Sequence, residues 1–139
     1  IQMIYINNIM CISNMIWRFI SDSIIFAFPL MLLVSGSEAF LVIIYCGVIS
    51  LCNELIKVLT KVRRPDKSDY LSFPSNHSNI SMFIALFYNL YPIYLWSFLI
   101  GYSRYKLKRH SIYDILFGFI FAFFWIFFYQ KSLSFLYLI

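Results

Sequence analysis

The sequence predicts an all-α fold, a polytopic membrane helix bundle of about six helices. Of the 139 residues, 62% are hydrophobic and only 12% are charged, and the mean hydropathy is +0.79, which is too apolar for an ordinary soluble domain. Uncharged stretches are long and closely spaced, over residues 1–17, 23–37, 39–53, 70–103 and 115–130. At about 20 residues per crossing, a chain of this length supplies at most about six helical spans.

Polar interruptions divide the first half of the chain into three predicted helices. The first runs to about residue 17, with Arg18, Ser21 and Asp22 at the membrane interface. The second occupies about residues 23–35, and a Ser-Gly-Ser turn follows it. The third runs from about residue 38 to residue 62. It stops at Arg64-Pro65, because the residue before a proline is pushed out of the α region.

A polar loop over residues 66–75 separates these helices from three more. The fourth helix is predicted to start near residues 75–78 and to run to about residue 90, where Tyr91-Pro92 breaks it. The fifth covers about residues 93–103 and the sixth about residues 111–130. The fourth and fifth would each be about 18 Å long, well short of a hydrocarbon core of about 30 Å. Without a linker, repeat or composition shift, residues 1–139 are predicted to form one transmembrane domain.

The order of crossings predicts where the polar segments meet. Helix three delivers residues 57–64 to one membrane face, and the hairpin of helices four and five returns to that same face. The polar segments at residues 57–65, 74–77 and 103–114 are therefore expected to converge. The same count places both chain termini on the opposite face.

Positive charge is concentrated in two of these segments. The chain carries +5, and residues 54–69 contribute five basic and three acidic residues, while residues 104–109 contribute four basic residues and no acid. A chain this apolar presents such patches at a bilayer surface, so we expect the lipid bilayer and anionic lipid phosphates as partners, and no nucleic acid.

The converging segments hold polar residues of types that suit phosphate chemistry, and charged groups at membrane depth are functional candidates by default. If helix six begins by His110, the four-residue spacing to Asp114 lets the carboxylate accept from one ring N–H and leaves the other nitrogen as a nucleophile. Lys57 and Arg64 are seven residues apart, which predicts one helix face for both. The candidates are Lys57, Arg64, Ser75, His77, Arg104, His110 and Asp114.

These residues form three motifs, and through them the sequence resembles the type 2 phosphatidic acid phosphatase (PAP2) superfamily of membrane lipid phosphatases. The superfamily patterns are KxxxxxxRP, PSGH and SRxxxxxHxxxD. Ten of their eleven fixed positions match here, in order, and both histidines of the chain fall on motif positions. The matching segments are Lys57-VLTKVR-Arg64-Pro65, Pro74-Ser75-Asn76-His77 and Ser103-Arg104-YKLKR-His110-SIY-Asp114. The predicted helix order is also similar to a PAP2-like core.

The resemblance implies a role for each motif residue. His110 would attack phosphorus and become a phosphohistidine, oriented by Asp114, while His77 would protonate the leaving oxygen and then activate water. The phosphoryl oxygens would be held by Lys57, Arg64, Arg104, Ser75 and the backbone around Asn76. Preorganised cations and a covalent nucleophile are what phosphoryl transfer requires, so no metal and no cofactor are expected. A zinc site is disfavoured because three cations beside it would repel the ion.

Two features depart from the superfamily pattern. Asn76 stands where glycine is usual, and we expect it to adopt a positive φ and to narrow the pocket with its side chain. The hairpin between the second and third motifs is short. The run of Lys106, Lys108 and Arg109 is more basic than the third motif usually is, which suggests a diphosphate or an acidic headgroup.

Structural roles are the alternative for several of these residues. The lysines and arginines of both basic segments that lie outside the motif positions are more simply interfacial residues or topology signals, namely Lys61, Arg63, Lys67, Lys106, Lys108 and Arg109. Glu54 most simply pairs with Lys57 or Lys61. Ser75 has the default role of a helix N-cap.

The sequence thus predicts an integral-membrane phosphatase that hydrolyses a lipid phosphomonoester or diphosphate through a phosphohistidine. The alternatives are a lipid phosphotransferase with the same intermediate and a non-catalytic relative that binds lipid phosphate. A multi-pass protein of the bacterial cytoplasmic membrane is expected. The positive-inside rule favours a cytoplasmic site, whereas the resemblance favours an outward-facing one, which we adopt.

Overall fold

The computed structural model describes residues 2–136, and within them the side chains of residues 10–36 and 38–135. All regular structure in this range is helical, which confirms the predicted all-α bundle of about six helices. The six helices are α1 (Gln2–Asp22), α2 (Ile24–Ser35), α3 (Ser37–Thr60), α4 (Asn76–Tyr88), α5 (Tyr91–Lys106) and α6 (Ile112–Leu136).

The first two helices form one rod, so the bundle has five rods. Ser23 between them keeps right-handed helical dihedrals, with φ −57° and ψ −20°. Residues Met10–Ser35 therefore make a single apolar span. The prediction that helix one ends near residue 17 is wrong, because the hydroxyl of Ser21 finds a partner inside the bundle and does not need to reach water.

The single rod reverses the predicted position of the first helix. Ser35 shares a hydrogen bond of 2.8 Å with Tyr88 at one end of the bundle. Ser21 accepts a hydrogen bond from Arg104 towards the other end, where residues 57–77 and 103–114 lie and which we call the site end. The start of the rod therefore points to the site end, and the prediction that it lies opposite is wrong.

Within the part of the chain that the structure describes, three segments are long and apolar enough to cross a membrane: Met10–Ser35, Glu38–Thr60 and Ile112–Phe135. Their outer surfaces carry many exposed large hydrophobic side chains, such as Leu33, Leu51 and Phe124, as expected for a surface that faces lipid. Helices α4 and α5 have 13 and 16 residues, about 20 and 24 Å, so the predicted short hairpin is present.

Helix α4 lies at the centre and packs against α3, α5 and α6, while α1 packs on α5 and α2 on α3. Its start is capped by Ser75, whose hydroxyl accepts from the amide of Ser78, and its end by Asn89 in the left-handed conformation. Pro92 falls in the first turn of α5, where a missing amide hydrogen costs nothing. Helix α5 therefore begins about two residues earlier than predicted.

A glycine sets the separation of α4 and α6. A Cβ added to Gly118 of α6 would lie 2.7 Å from the carbonyl oxygen of Ser75 and 3.1 Å from the Cβ of Ser78. The nearest atom belongs to the backbone, so the helices would have to move apart. Small residues allow such close approach between membrane helices.

We expect Gly118→Ala to destabilise the protein by about 1–3 kcal/mol, because the added methyl group overpacks the α4–α6 contact. The measurement is thermal unfolding of the detergent-purified protein, followed by circular dichroism. Gly47→Ala in α3 is the matched control, because a Cβ there meets nothing within 4 Å and alanine favours a helix by up to about 1 kcal/mol. Equal stability of the two variants would contradict the assigned packing.

Candidate functional site

Two loops form the site end, and they are tied to each other. The loop before α4 and the loop before α6 are joined by a backbone hydrogen bond of 3.0 Å from the amide of Asp66 to the carbonyl of Lys108. An ion pair of 3.5 Å between Arg109 and Asp66 joins them again. The predicted convergence of residues 57–65, 74–77 and 103–114 is therefore present in the structure.

His110 lies in the loop before α6, is 2% exposed, and is held by a backbone carbonyl. Its Nδ1 is 2.7 Å from the carbonyl oxygen of Ser72. Because a carbonyl only accepts, Nδ1 carries the proton and Nε2 keeps its lone pair. The side chain is thus oriented and has one nitrogen available as a nucleophile.

The predicted hydrogen bond from the His110 ring to the Asp114 carboxylate does not form, although the two groups are close. Helix α6 begins at Ile112, so His110 precedes the helix, and the Asp114 Oδ2 atom lies 3.9 Å from Nδ1. That oxygen instead accepts from the hydroxyl of Ser72 at 2.6 Å and from the amide of Ser111 at 2.7 Å. Asp114 therefore acts on His110 through Ser72, the residue whose carbonyl binds the ring.

Asp114 also fixes the start of two helices. Its amide donates a hydrogen bond to the hydroxyl oxygen of Ser111 at 3.2 Å, which completes a reciprocal capping box at the start of α6. Its carbonyl accepts from the amide of Ser75 at 3.0 Å, next to the start of α4. The residue is 2% exposed. One buried aspartate thus connects α6, the start of α4 and the loop that holds His110.

Each of the three predicted phosphate-binding cations is held by a different partner. Lys57 is 5% exposed and pairs with Glu54 at 2.6 Å, the partner predicted for it. Arg64 pairs with Asp69, with Nε 2.8 Å from Oδ1. The Arg104 Nη1 donates to Ser21 at 2.9 Å. The prediction of one helix face for Lys57 and Arg64 is wrong, because α3 ends at Thr60 and Arg64 belongs to the following loop.

Burial and these same cations together set the protonation state of His110. Burial first, and then the positive charge of Arg104, lower the pKa of His110 from 6.5 to about 3. The hydrogen bond to Ser72 acts in the opposite direction, and Arg64 and Lys57 add to the lowering. The folded protein therefore keeps His110 neutral at pH values where a free histidine takes up a proton.

His77 occupies the first turn of α4, and Arg104, Lys57 and Arg64 also act on it electrostatically. Within the described residues its ring has no hydrogen-bond partner. The amides of the first helical residues have no partner inside a helix and favour an anion. Ser75 does not contribute a free hydroxyl, because its side chain bonds Ser78 as the N-cap. The alternative role of Ser75 is the one that the structure favours.

Asn76 does not behave as predicted. It is absent from the positive-φ residues of the described chain, and it begins α4 as an ordinary helical residue. Its side chain bonds α3, donating to Ser50 at 2.8 Å and accepting from Asn53 at 2.8 Å. Asn53 in turn accepts from Asn79 at 3.1 Å. The amide that replaces glycine therefore attaches the start of α4 to α3.

The extra basic residues lie mainly at the edge of the site. Arg109 pairs with Asp66, and the Lys106 ammonium lies over the ring of Tyr102, 5.3 Å from its centroid. Lys106 and Lys108 line a cleft of about 600 Å³ that also reaches His110. Among residues 10–36 and 38–135, no group of three or more His, Cys, Asp and Glu is arranged to hold a metal.

Two residues of the site were missed by the sequence analysis as functional candidates. Ser72 is a serine in a polar loop, and nothing in the motif spacing distinguishes it from its neighbours. Ser21 is a serine in an apolar helix, assigned to the membrane interface. A signal for Ser21 existed in retrospect, because a polar residue between apolar neighbours needs a partner inside the bundle.

Fold and site together define a helical membrane protein with a buried histidine and several cations gathered at one end of the bundle. The family model of the PAP2 superfamily matches residues 38–136, more than two thirds of the chain. The chain therefore belongs to the PAP2 superfamily, and the resemblance found in the sequence is confirmed. No curated protein and no solved structure gives a significant match.

We expect His110 to remain neutral with its proton on Nδ1 from pH 8 to pH 5, because its pKa lies at about 3. The chain has two histidines, so the His77→Gln variant leaves His110 as the single reporter. Imidazole ¹⁵N chemical shifts of this variant in detergent, recorded over that pH range, give the tautomer and the charge. A titration with a midpoint near 6.5 would contradict the assigned burial and the Ser72 contact.

Proposed function

We propose that the protein is an integral-membrane lipid phosphate phosphatase that hydrolyses a phosphomonoester or diphosphate through a phosphohistidine on His110. The observation that carries this proposal is the 2.7 Å contact between His110 Nδ1 and the Ser72 carbonyl. It leaves Nε2 unprotonated in a buried position beside three cations. Membership of the PAP2 superfamily and three membrane-length helical segments support a membrane phosphatase.

In the first step His110 Nε2 forms a bond to phosphorus while the bond between phosphorus and the leaving oxygen breaks. His77 gives the leaving oxygen its proton. In the second step His77 takes a proton from water, the water oxygen attacks phosphorus, and the N–P bond breaks to release inorganic phosphate. Lys57, Arg64 and Arg104 stabilise the negative charge spread over the phosphoryl oxygens in both transition states.

The carboxylates that hold two of the cations fit this proposal. Lys57 and Arg64 are oriented by Glu54 and Asp69 before any substrate is present, so less conformational entropy is lost when phosphate binds. Among the described residues His77 has no hydrogen-bond partner for its ring, and it is partly exposed, as a group that exchanges protons with substrate and water must be. These cations supply the charge stabilisation, so the proposed reaction uses no metal and no cofactor.

The alternative of a non-catalytic relative rests on Asn76 in place of glycine and on the short α4–α5 hairpin, and the structure contains that hairpin. The side chain of Asn76 bonds Ser50 and Asn53 of α3. This contact removes the argument that the side chain narrows the phosphate pocket. A lipid phosphotransferase differs only in the acceptor of the second step, so the products distinguish it.

We also propose that the site faces outward from the bacterial cytoplasmic membrane, as the resemblance implies. A lipid substrate then presents its headgroup at the outer surface, where the loops before α4 and α6 lie at the site end. The partners of this proposal are the bilayer and its lipid phosphates, without nucleic acid.

We expect the detergent-purified protein to release inorganic phosphate from at least one member of a panel of lipid monophosphates and diphosphates in the presence of EDTA. His110→Ala should lower the rate by at least about a thousandfold, because no other group occupies the position of the nucleophile. Orthovanadate should inhibit the wild type, since it mimics five-coordinate phosphorus.

The matched control is Lys131→Ala, a change on the exposed surface of α6 near its end. It should retain wild-type activity. Transfer of phosphate to a lipid alcohol without release would favour the phosphotransferase. Absence of release and of transfer in a folded wild type would overturn the proposal.

The role of His77 predicts a difference between the two steps. The substrate is p-nitrophenyl phosphate, whose leaving group needs little protonation. With it, His77→Gln should give a burst of one equivalent of nitrophenolate, followed by steady-state turnover about 100-fold or more slower than that of the wild type. His110→Ala should give no burst. Stopped-flow absorbance measures both, and a His77→Gln variant with wild-type steady-state turnover would contradict the acid and base role.

A further inference from the structure

Helix α1 lies outside the segment matched by the family model, yet it supplies a buried hydroxyl to the site. The model matches residues 38–136, whereas Ser21 belongs to α1. Its Oγ accepts a hydrogen bond of 2.9 Å from Arg104 Nη1, and the residue is 0% exposed.

The orientation of Arg104 depends on this one contact. Among the described residues its guanidinium makes no ion pair, and its Nε is buried without a hydrogen-bond partner. A guanidinium has five N–H donors in a fixed plane, so one hydrogen bond to Nη1 restricts where the others point. Without Ser21, the long side chain would regain rotamer freedom.

A hydroxyl suits this position for an electrostatic reason. Lys57 and Arg64 are paired with carboxylates, which partly compensate their charges. Ser21 is neutral, so it orients Arg104 without pairing it with a carboxylate; Asp22 of the same helix acts on the charge of Arg104 without forming an ion pair. Of the cations that act electrostatically on His77 and His110, Arg104 has the strongest influence on both.

Docking of the first rod against α5 does not require Ser21. Two residues further along the rod, Ser23 accepts a hydrogen bond of 2.9 Å from the indole N–H of Trp96. The rings of Trp17 and Tyr102 make an edge contact, with centroids 5.2 Å apart. Helix packing therefore has its own contacts, and the bond of Ser21 to Arg104 is available for another role.

We propose that Ser21 is a positioning residue for Arg104, so that the phosphate site of this protein is completed by a helix outside the family segment. The proposal rests on the proposed function, because it takes Arg104 as a phosphate ligand. It places Ser21 in indirect contact with substrate, through the guanidinium.

The test is a double-mutant cycle read out by orthovanadate binding, measured by ⁵¹V NMR on the full-length protein in detergent. Ser21→Ala should weaken vanadate binding by about tenfold, the usual effect of losing a hydrogen bond to a charged group. Ser21→Thr, which keeps a hydroxyl at this position, should bind vanadate as the wild type does. The matched control Ser23→Ala removes a hydroxyl from the same rod and should leave vanadate affinity within about twofold.

The cycle separates positioning from helix packing. The double variant Ser21→Ala/Arg104→Ala should bind vanadate no more weakly than Arg104→Ala alone, because Ser21 acts only through the guanidinium. Additive losses would overturn the proposal, as would equal losses in Ser21→Ala and Ser23→Ala. Thermal unfolding of each variant shows whether a loss follows from reduced stability.

Turnover is measured in parallel, so that the two proposals fail separately. A wild type that binds vanadate but releases no phosphate overturns the proposed function and leaves the binding cycle to decide the role of Ser21. A wild type that does not bind vanadate overturns both.

Discussion

The buried carboxylate of Asp114 is the constraint on which the rest of the site depends. It accepts hydrogen bonds from the Ser72 hydroxyl and the Ser111 amide, while its own carbonyl accepts from the Ser75 amide. A buried carboxylate that lost these donors would pay a large desolvation cost, so the three segments are held together. The close approach of α6 at Gly118 also holds the start of α4 in place, because a Cβ added to Gly118 would lie nearest to the carbonyl oxygen of Ser75. The position of His110 follows from both.

Positive charge is the second organising feature. Three cations close to two histidines repel one another, and they also repel either histidine ring once that ring is protonated. The structure accommodates them with separate partners: a carboxylate from the same helix for Lys57, a carboxylate from the same loop for Arg64, and a neutral hydroxyl from α1 for Arg104. Burial, and then the field of these cations, lower the pKa of His110 and keep the ring neutral. A neutral imidazole beside fixed cations is suited to attack a phosphoryl group and to stabilise the charge that develops.

The sequence was most informative where local chemistry decides the outcome. Pro65 and Pro92 marked loop and helix boundaries to within a few residues, because proline disfavours helical geometry for the residue before it and, without an amide hydrogen, suits only a loop or the first turn of a helix. The sequence was less informative about polar residues within apolar segments. Ser21 and Asp22 suggested a helix end, but the rod continues, because Ser21 is satisfied by Arg104, 83 residues away. Asn76 suggested a strained turn, but its amide bonds a neighbouring helix.

The sequence alone determined the helical membrane class, the order of the polar segments and the motif residues, because hydropathy, proline and spacing act within a few residues along the chain. Only the tertiary structure decided which atoms meet. Ser72 in place of Asp114 as the partner of His110, the contact of Asn76 with Ser50 of α3 and the contact of Ser21 with Arg104 all join residues on different elements. Such contacts depend on how helices approach and on which buried donors remain to be satisfied, and these are properties of the packed bundle.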